Sequence, residues 1–160
     1  MKKSIALAAA GSAVALAALA GSRFGPTPAH PRTAAWYKNL KKSRLTPPGP
    51  AFGAAWTVLD GLLWYSGARL MTQPSAPRRT VALGFWGLSL LGVGGFSWVL
   101  FGRKQLGAAL GVTAGMVGAS VGLVSAAAEV DRKSALASLP LAGWVGFAFF
   151  LQEEVWRKNR

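Results

Sequence analysis

The 160-residue chain has no cysteine, one histidine (His30) and only five carboxylates. Without thiols it has no disulfide, no cysteine nucleophile and no thiolate metal site. One imidazole and a few scattered carboxylates are too few ligands for a zinc or iron centre. The Ser-His-Asp and His-Glu-x-x-His hydrolase patterns and the Gly-x-x-x-x-Gly-Lys phosphate loop are also missing. Most classes of soluble enzyme are therefore excluded.

Charge is scarce and mostly of one sign. Charged residues make up 14% of the chain against 52% hydrophobic ones, and 18 Lys and Arg give a net charge of +13. In a nucleic-acid-binding protein these cations would follow a polar surface. Here they stand in short clusters between long apolar stretches, so no nucleic-acid partner is expected. The pattern predicts an integral membrane protein whose partner is the lipid bilayer, with basic loops beside anionic headgroups.

Five apolar segments can be marked, each of about 17 to 23 residues, the length that crosses a hydrocarbon layer of about 30 Å as a helix. A backbone in lipid must satisfy its own hydrogen bonds, so helices are expected. The predicted fold is an all-α integral membrane protein, a five-transmembrane-helix bundle forming a single domain over residues 1–160. The predicted spans are 5–21, 51–71, 81–101, 106–128 and 135–151, with a long loop at 22–50.

The first segment permits two interpretations. Lys2 and Lys3, an apolar run and Ala18-Leu19-Ala20 before Gly21 resemble a secretory signal peptide with its cleavage site. From this stretch alone, a cleaved peptide and a retained helix both remain open.

Orientation follows from the basic residues on alternate sides of five spans. The side with the long loop and the C-terminus carries 11 Lys and Arg, and the other side carries 7. The positive-inside rule predicts a multi-pass protein with the long loop and Arg160 in the cytoplasm and Met1 opposite, in the inner membrane if the source is bacterial.

The second segment carries Trp56, Asp60 and Trp64 at intervals of four, with Leu59 alongside. Residues at this spacing share one face of a helix. A carboxylate within a span costs several kcal/mol unless it faces a cavity or a partner, and two indoles supply flat apolar walls. We expect an inward-facing aromatic pocket. The alternative is that Trp56 anchors the interface while Asp60 bonds a neighbouring helix.

Further aromatic residues support a pocket, namely Phe96 and Trp98 in the third segment and Trp144 and Phe147 in the fifth. An aromatic cavity within a bundle suits a flat hydrophobic ligand such as a tetrapyrrole or a sterol. The alternative is a tightly packed core without a ligand.

Two other features are expected to shape the bundle. Pro47 and Pro48 cannot continue a helix and direct the chain into the second span, while Trp36-Tyr37-x-x-Leu40 before them forms either an amphipathic lid or a basic segment on lipid. Small residues such as Gly107, Gly111 and Gly115 recur every four positions and favour close helix packing, within the bundle or in a homodimer.

These residues resemble the translocator protein family (tryptophan-rich sensory proteins, TspO/MBR). The similarity lies in Trp36-Tyr37-x-x-Leu40-x-Lys42 with Pro47-Pro48 and Trp56 downstream, and in Pro140 with Trp144-x-x-Phe147-Ala148 and Leu151. It spans about residues 36–158. Members keep the first span, which favours a retained helix.

The resemblance implies a five-helix bundle, often dimeric, whose pocket opens toward the first loop. It implies a porphyrin ligand such as protoporphyrin IX or haem, no required cofactor, and transport or sensing. A sterol ligand is less expected, because Glu153 replaces the Tyr of the sterol-associated motif. Light- or oxygen-dependent porphyrin degradation, or a structural role without a ligand, are the alternatives.

On matching positions the implied pocket draws on both halves of the chain. Together with the residues noted above, the predicted ligand-binding set is Trp36, Pro47, Pro48, Trp56, Leu59, Asp60, Trp64, Phe96, Trp144, Phe147, Ala148 and Leu151. Asp60 stands where the family usually has Tyr. Its carboxyl is expected either to be neutral or to pair with a cationic ligand.

Overall fold

The structure, a computed structural model, describes all 160 residues and is entirely helical. It has six α-helices, and a π-helical turn at Trp98–Gly102 continues the fourth. The helices are α1 (Lys3–Ser22), α2 (Pro31–Asn39), α3 (Gly49–Thr72), α4 (Pro77–Ser97), α5 (Leu106–Ala128) and α6 (Arg132–Lys158).

The five long helices form a ring in which each packs mainly against two neighbours, and α3 and α4 also touch across it. The order around the ring is α1, α3, α6, α5, α4 and back to α1, while the short α2 lies against the π-helical turn. Trp86 of α4 crosses the ring, and its indole N–H donates to the carbonyl of Leu63 in α3 at 2.9 Å. Gly67 makes room for this indole, since a Cβ there would overlap the ring. The middle of the bundle is therefore packed.

Four helices are long and apolar enough to cross a membrane, namely α1, α4 with its π-helical turn, α5 and α6. Helix α3 has sufficient length at 24 residues, but Asp60 and Arg69, together with several glycines and indoles, lower its hydropathy. The prediction of an all-α membrane protein is confirmed. By length and composition the structure provides four candidate spans where the sequence predicted five.

The helix ends differ from the predicted boundaries for local reasons. Within the segment predicted as a loop, α2 begins with Pro31 at its first turn, and Lys42 binds its final carbonyls. Helix α6 continues to Lys158, beyond the predicted end at residue 151. Its last turns carry ion pairs four residues apart, Glu153 with Arg157 at 3.1 Å and Glu154 with Lys158 at 2.9 Å.

Candidate functional site

An open apolar groove of about 450 Å³ runs between α3 and α6. Its volume lies within the range of about 300–1,000 Å³ that is typical of ligand pockets. Val58, 63% exposed, stands at its outer edge, so the groove opens on the outside of the ring. The lining residues are Ala55, Val58, Leu59, Pro140, Gly143, Trp144 and Phe147.

Small residues and one indole shape this groove. Ala55 on α3 and Gly143 on α6 fill little space, and a Cβ at Gly143 would meet no atom within 4 Å. Trp144 is wedged between two other rings, with centroid distances of 5.2 Å to Phe52 and 5.9 Å to Phe147. Tilted and edge-on aromatic contacts of this kind are favourable. They hold the Trp144 indole against α3.

The Trp144 indole N–H is buried and has no hydrogen-bond partner. Two other indoles do find partners: Trp86 donates to the Leu63 carbonyl at 2.9 Å, and Trp64 to the Leu7 carbonyl at 2.8 Å. A buried donor without a partner costs about 1–3 kcal/mol. The Trp144 ring thus lines the groove, while its N–H is enclosed and unused.

Asp60 carries the second unused polar atom of this part of the bundle. Its Oδ1 is buried and accepts no hydrogen bond. The side chain is only half-buried and does not line the groove. The alternative that Asp60 bonds a neighbouring helix therefore finds no contact in the structure.

A polar clamp of five residues fastens α3 to α6 beyond one end of the groove. The Ser66 hydroxyl lies 2.7 Å from that of Ser134 and 2.9 Å from that of Ser138, all fully buried. One turn further along α3, the Arg69 guanidinium donates twice to the Asp131 carboxylate, at 2.6 and 2.8 Å. These bonds fix the spacing of the two helices.

Asp131 also begins α6, because its carboxylate accepts the backbone N–H of Ser134 at 2.8 Å. The hydrogen bonds from Arg69, and next that from Ser134, hold the pKa of the Asp131 carboxyl below its usual value against the opposing effect of burial. The carboxylate is therefore charged at neutral pH.

Three of the predicted ligand-binding residues meet in the groove: Leu59, Trp144 and Phe147. The predicted stripe of Trp56, Asp60 and Trp64 does not act as one surface. Trp56 packs against the hydrophobic core, whereas Trp64 is 43% exposed and contacts α1 through Leu7. Every fourth residue advances about 40° around a helix, so three such residues spread over about 80°. That drift carries Trp64 to the boundary with α1.

The other predicted residues lie toward the end of the bundle that carries α2. Pro48 immediately precedes α3, with Pro47 before it. The Trp36 ring lies 5.6 Å from the Lys104 ammonium, and Phe96 lies 6.5 Å from Phe101, which in turn contacts Tyr37 at 5.3 Å. Ala148 and Leu151 continue along α6 and do not line the groove.

The sequence did not indicate the small residues of the groove or the role of Trp86, whose indole fills the middle of the ring. Ala55, Val58 and Gly143 carry no chemical signal of their own. Trp86 lies only five residues after the predicted start of its span at residue 81, so the sequence did not mark it as a central residue. Because the helix begins earlier, at Pro77, Trp86 lies near its middle, where Gly67 makes room for the indole.

The glycine row of α5 divides into two surfaces. Trp156 would lie 3.2 Å from a Cβ at Gly107, whereas Cβ atoms at Gly111 and Gly115 would meet nothing within 4 Å. Residues 111 and 115 are exposed on the outside of the ring. Packing within the bundle therefore does not account for them.

The fold and groove define a class: an all-helical membrane protein that is rich in tryptophan and has an aromatic groove between two of its helices. The family model for TspO/MBR matches residues 13–157. The chain belongs to the TspO/MBR family, which confirms the resemblance seen in the sequence.

Two relatives show how far the similarity extends. The chain is 29% identical over 127 residues to tryptophan-rich protein TspO of Bacillus cereus, which covers 78% of this chain and 80% of the relative. It is 29% identical over 148 residues to protein CrtK of Rhodobacter capsulatus, which covers 92% of this chain and 88% of the relative. Both alignments span most of each chain.

Proposed function

We propose that this chain is a membrane sensor or translocator that binds a flat hydrophobic ligand of the porphyrin class at the α3–α6 groove. The observation that carries the proposal is an apolar, aromatic groove of about 450 Å³ lined by Trp144, whose enclosed indole N–H has no partner in the protein. A porphyrin offers a broad apolar face for Trp144 and Phe147. Its carboxylates or ring nitrogens offer acceptors for the indole N–H.

Asp60 contributes to ligand preference in this proposal. Asp60 follows Leu59, which lines the groove, and its buried Oδ1 has no hydrogen-bond partner. An ionised carboxylate near the site disfavours an anionic ligand, while a neutral one donates to an acceptor. Replacing Asp60 by Asn keeps the shape and removes the ionisable group. We expect this change to alter the pH dependence of binding more than its strength.

The test is a titration of protoporphyrin IX against intrinsic tryptophan fluorescence, in the dark, with purified protein in detergent. Trp144→Ala removes one aromatic wall and the free donor, so we expect affinity to fall about five- to tenfold. Trp156→Ala is the matched control, because it removes an indole from the same helix at its α5 side, beside Gly107. Equal affinities of the two folded variants would refute the proposed site.

The arrangement in the membrane is part of the proposal. We take α3 as the fifth span, since it neighbours the candidate spans α1 and α6 in the ring and is 24 residues long. With five spans, the 11 to 7 distribution of basic residues sets the C-terminus and the α2 segment in the cytoplasm. Reporter fusions at Met1 and Arg160 on opposite sides of the membrane would support this, and fusions on one side would exclude it.

Retention of the first span is supported by its packing. Ala10 and Val14 of α1 belong to the hydrophobic core, and the Trp64 indole donates to the Leu7 carbonyl. Loss of α1 would leave that indole without its acceptor. N-terminal sequencing of the mature protein decides the matter, and a chain beginning at Gly21 would contradict retention.

We also propose a homodimer through the outer face of α5. Gly111, Gly115 and Gly118 leave a shallow surface with no neighbour within 4 Å of any added Cβ. Lipid offers no hydrophobic drive for helix association, so close van der Waals approach must supply it, and small residues permit that approach.

A further inference from the structure

The end of the bundle that carries α2 holds an excess of unpaired cations. It carries 11 Lys and Arg but only two carboxylates, Glu153 and Glu154. Both carboxylates are already paired, with Arg157 and Lys158. The remaining nine cations of this end have no carboxylate within 4 Å, among them Arg103 and Lys104 in the connection from α4 to α5.

Arg103 and Lys104 are held in place by indoles from two different elements. The Arg103 guanidinium lies 5.2 Å from the ring of Trp98, which is 46% exposed, and the Lys104 ammonium lies 5.6 Å from the ring of Trp36 in α2. Such cation–π contacts keep a charge localised without neutralising it. Two adjacent cations are thereby fixed at the rim of the bundle.

The backbone at this point is unusual as well. Trp98–Gly102 forms a π-helical turn, closed by the Arg103 N–H on the Trp98 carbonyl at 2.9 Å. Lys104 follows with a φ of 55°, the one non-glycine residue of the chain in the left-handed region. A lysine there is less stable than a glycine would be, by about 1 kcal/mol or more. We take the lysine at this strained position as an indication that its ammonium group takes part in binding.

We propose that this end of the bundle is a binding surface for anionic glycerophospholipids, with Arg103 and Lys104 as its central phosphate ligands. Tryptophans such as Trp98 mark the headgroup level of a membrane. An exposed indole beside a guanidinium offers an apolar contact for the glycerol region and a cation for the phosphate. The surface is separate from the α3–α6 groove and does not depend on which ligand binds there.

The chain provides a matched control at the opposite end of the bundle. Arg132 and Lys133, at the start of α6, form the same dipeptide, are also exposed and take part in no ion pair. No indole accompanies them among the cation–π contacts. The variants to compare are Arg103→Gln/Lys104→Gln and Arg132→Gln/Lys133→Gln.

The experiment measures the melting temperature of each protein in nanodiscs of phosphatidylcholine alone and of phosphatidylcholine mixed with phosphatidylglycerol. We expect the anionic lipid to stabilise the wild type and the Arg132/Lys133 variant but to lose most of its effect on the Arg103/Lys104 variant. Each cation near an anionic surface contributes about five-fold in affinity, so the double variant should bind added phosphatidylglycerol about 30-fold more weakly.

Two further measurements separate a lipid site at Lys104 from a change in the backbone and from binding of free phosphate. Lys104→Gly retains the left-handed backbone, so a reduced lipid effect in this variant is due to the missing ammonium. Glycerol phosphate in phosphatidylcholine nanodiscs tests for a free phosphate. Equal stabilisation by glycerol phosphate, or an equal loss of the lipid effect in both double variants, would overturn the proposal.

Discussion

The polar clamp between α3 and α6 allows the effect of one substitution on stability to be predicted in magnitude. Replacing Asp131 with Ala removes two hydrogen bonds from Arg69, at 2.6 and 2.8 Å, and the bond from the Ser134 N–H at 2.8 Å that begins α6. Loss of a helix N-cap costs about 1 kcal/mol. Breaking a buried ion pair costs about 3–5 kcal/mol.

The cost of breaking the ion pair must be reduced because both side chains are partly exposed to water. The Arg69 side chain is 31% exposed and that of Asp131 is 12% exposed, so the guanidinium regains water when its partner is lost. Together the terms predict a destabilisation of about 2–4 kcal/mol. Asp131→Asn keeps a competent cap and should cost about 1 kcal/mol less than Asp131→Ala, as the capping term implies.

The assay is equilibrium unfolding in detergent micelles, with helix content and tryptophan fluorescence as readouts. Glu129→Ala is the control, since Glu129 precedes Asp131 by two residues but pairs with Arg78 at 3.4 Å with both side chains largely exposed. Such a pair contributes about 0–1 kcal/mol. The reasoning fails if Glu129→Ala destabilises the protein as much as Asp131→Ala does.

The remaining predictions use the same preparation. Arg69 lowers the pKa of the Asp131 carboxyl in the folded protein. The stabilisation that Asp131 provides is therefore present above the unfolded pKa of about 3.9 and is lost as the pH falls through the lower folded pKa. Asp131→Asn should reduce this acid dependence of stability, and an unchanged pH profile would exclude Asp131 as its source. Leucines at Gly111 and Gly115, which face open space, should leave the helix content of the protomer intact but abolish cross-linking of the proposed homodimer. Unchanged cross-linking would exclude α5 from the proposed interface. Gly67→Ala should destabilise the fold by about 1–3 kcal/mol because its Cβ overlaps Trp86; a neutral result would mean that this indole can shift freely.

The class of protein, an all-α membrane protein, and its family could both be predicted from the amino-acid sequence. Apolar segments of membrane-spanning length, separated by basic clusters, require helices because lipid cannot satisfy a bare backbone. The boundaries of α5 coincide with the predicted 106–128, because polar or charged residues flank that segment closely on both sides. The spacing of Trp36, Pro47, Pro48 and Trp144 indicated the family, which the match over residues 13–157 confirms.

Only the tertiary structure determines where the groove lies. A four-residue spacing put Trp56, Asp60 and Trp64 on one nominal face, but 40° of drift per step sends Trp64 to α1. Whether a glycine accepts an indole, as Gly67 does, or faces open space, as Gly111 does, depends on which helix lies opposite. The bonds from Ser66 to Ser134 and from Arg69 to Asp131 join residues more than 60 positions apart. Helical periodicity orders residues within one helix, and only the packing of the ring decides which of them meet across helices.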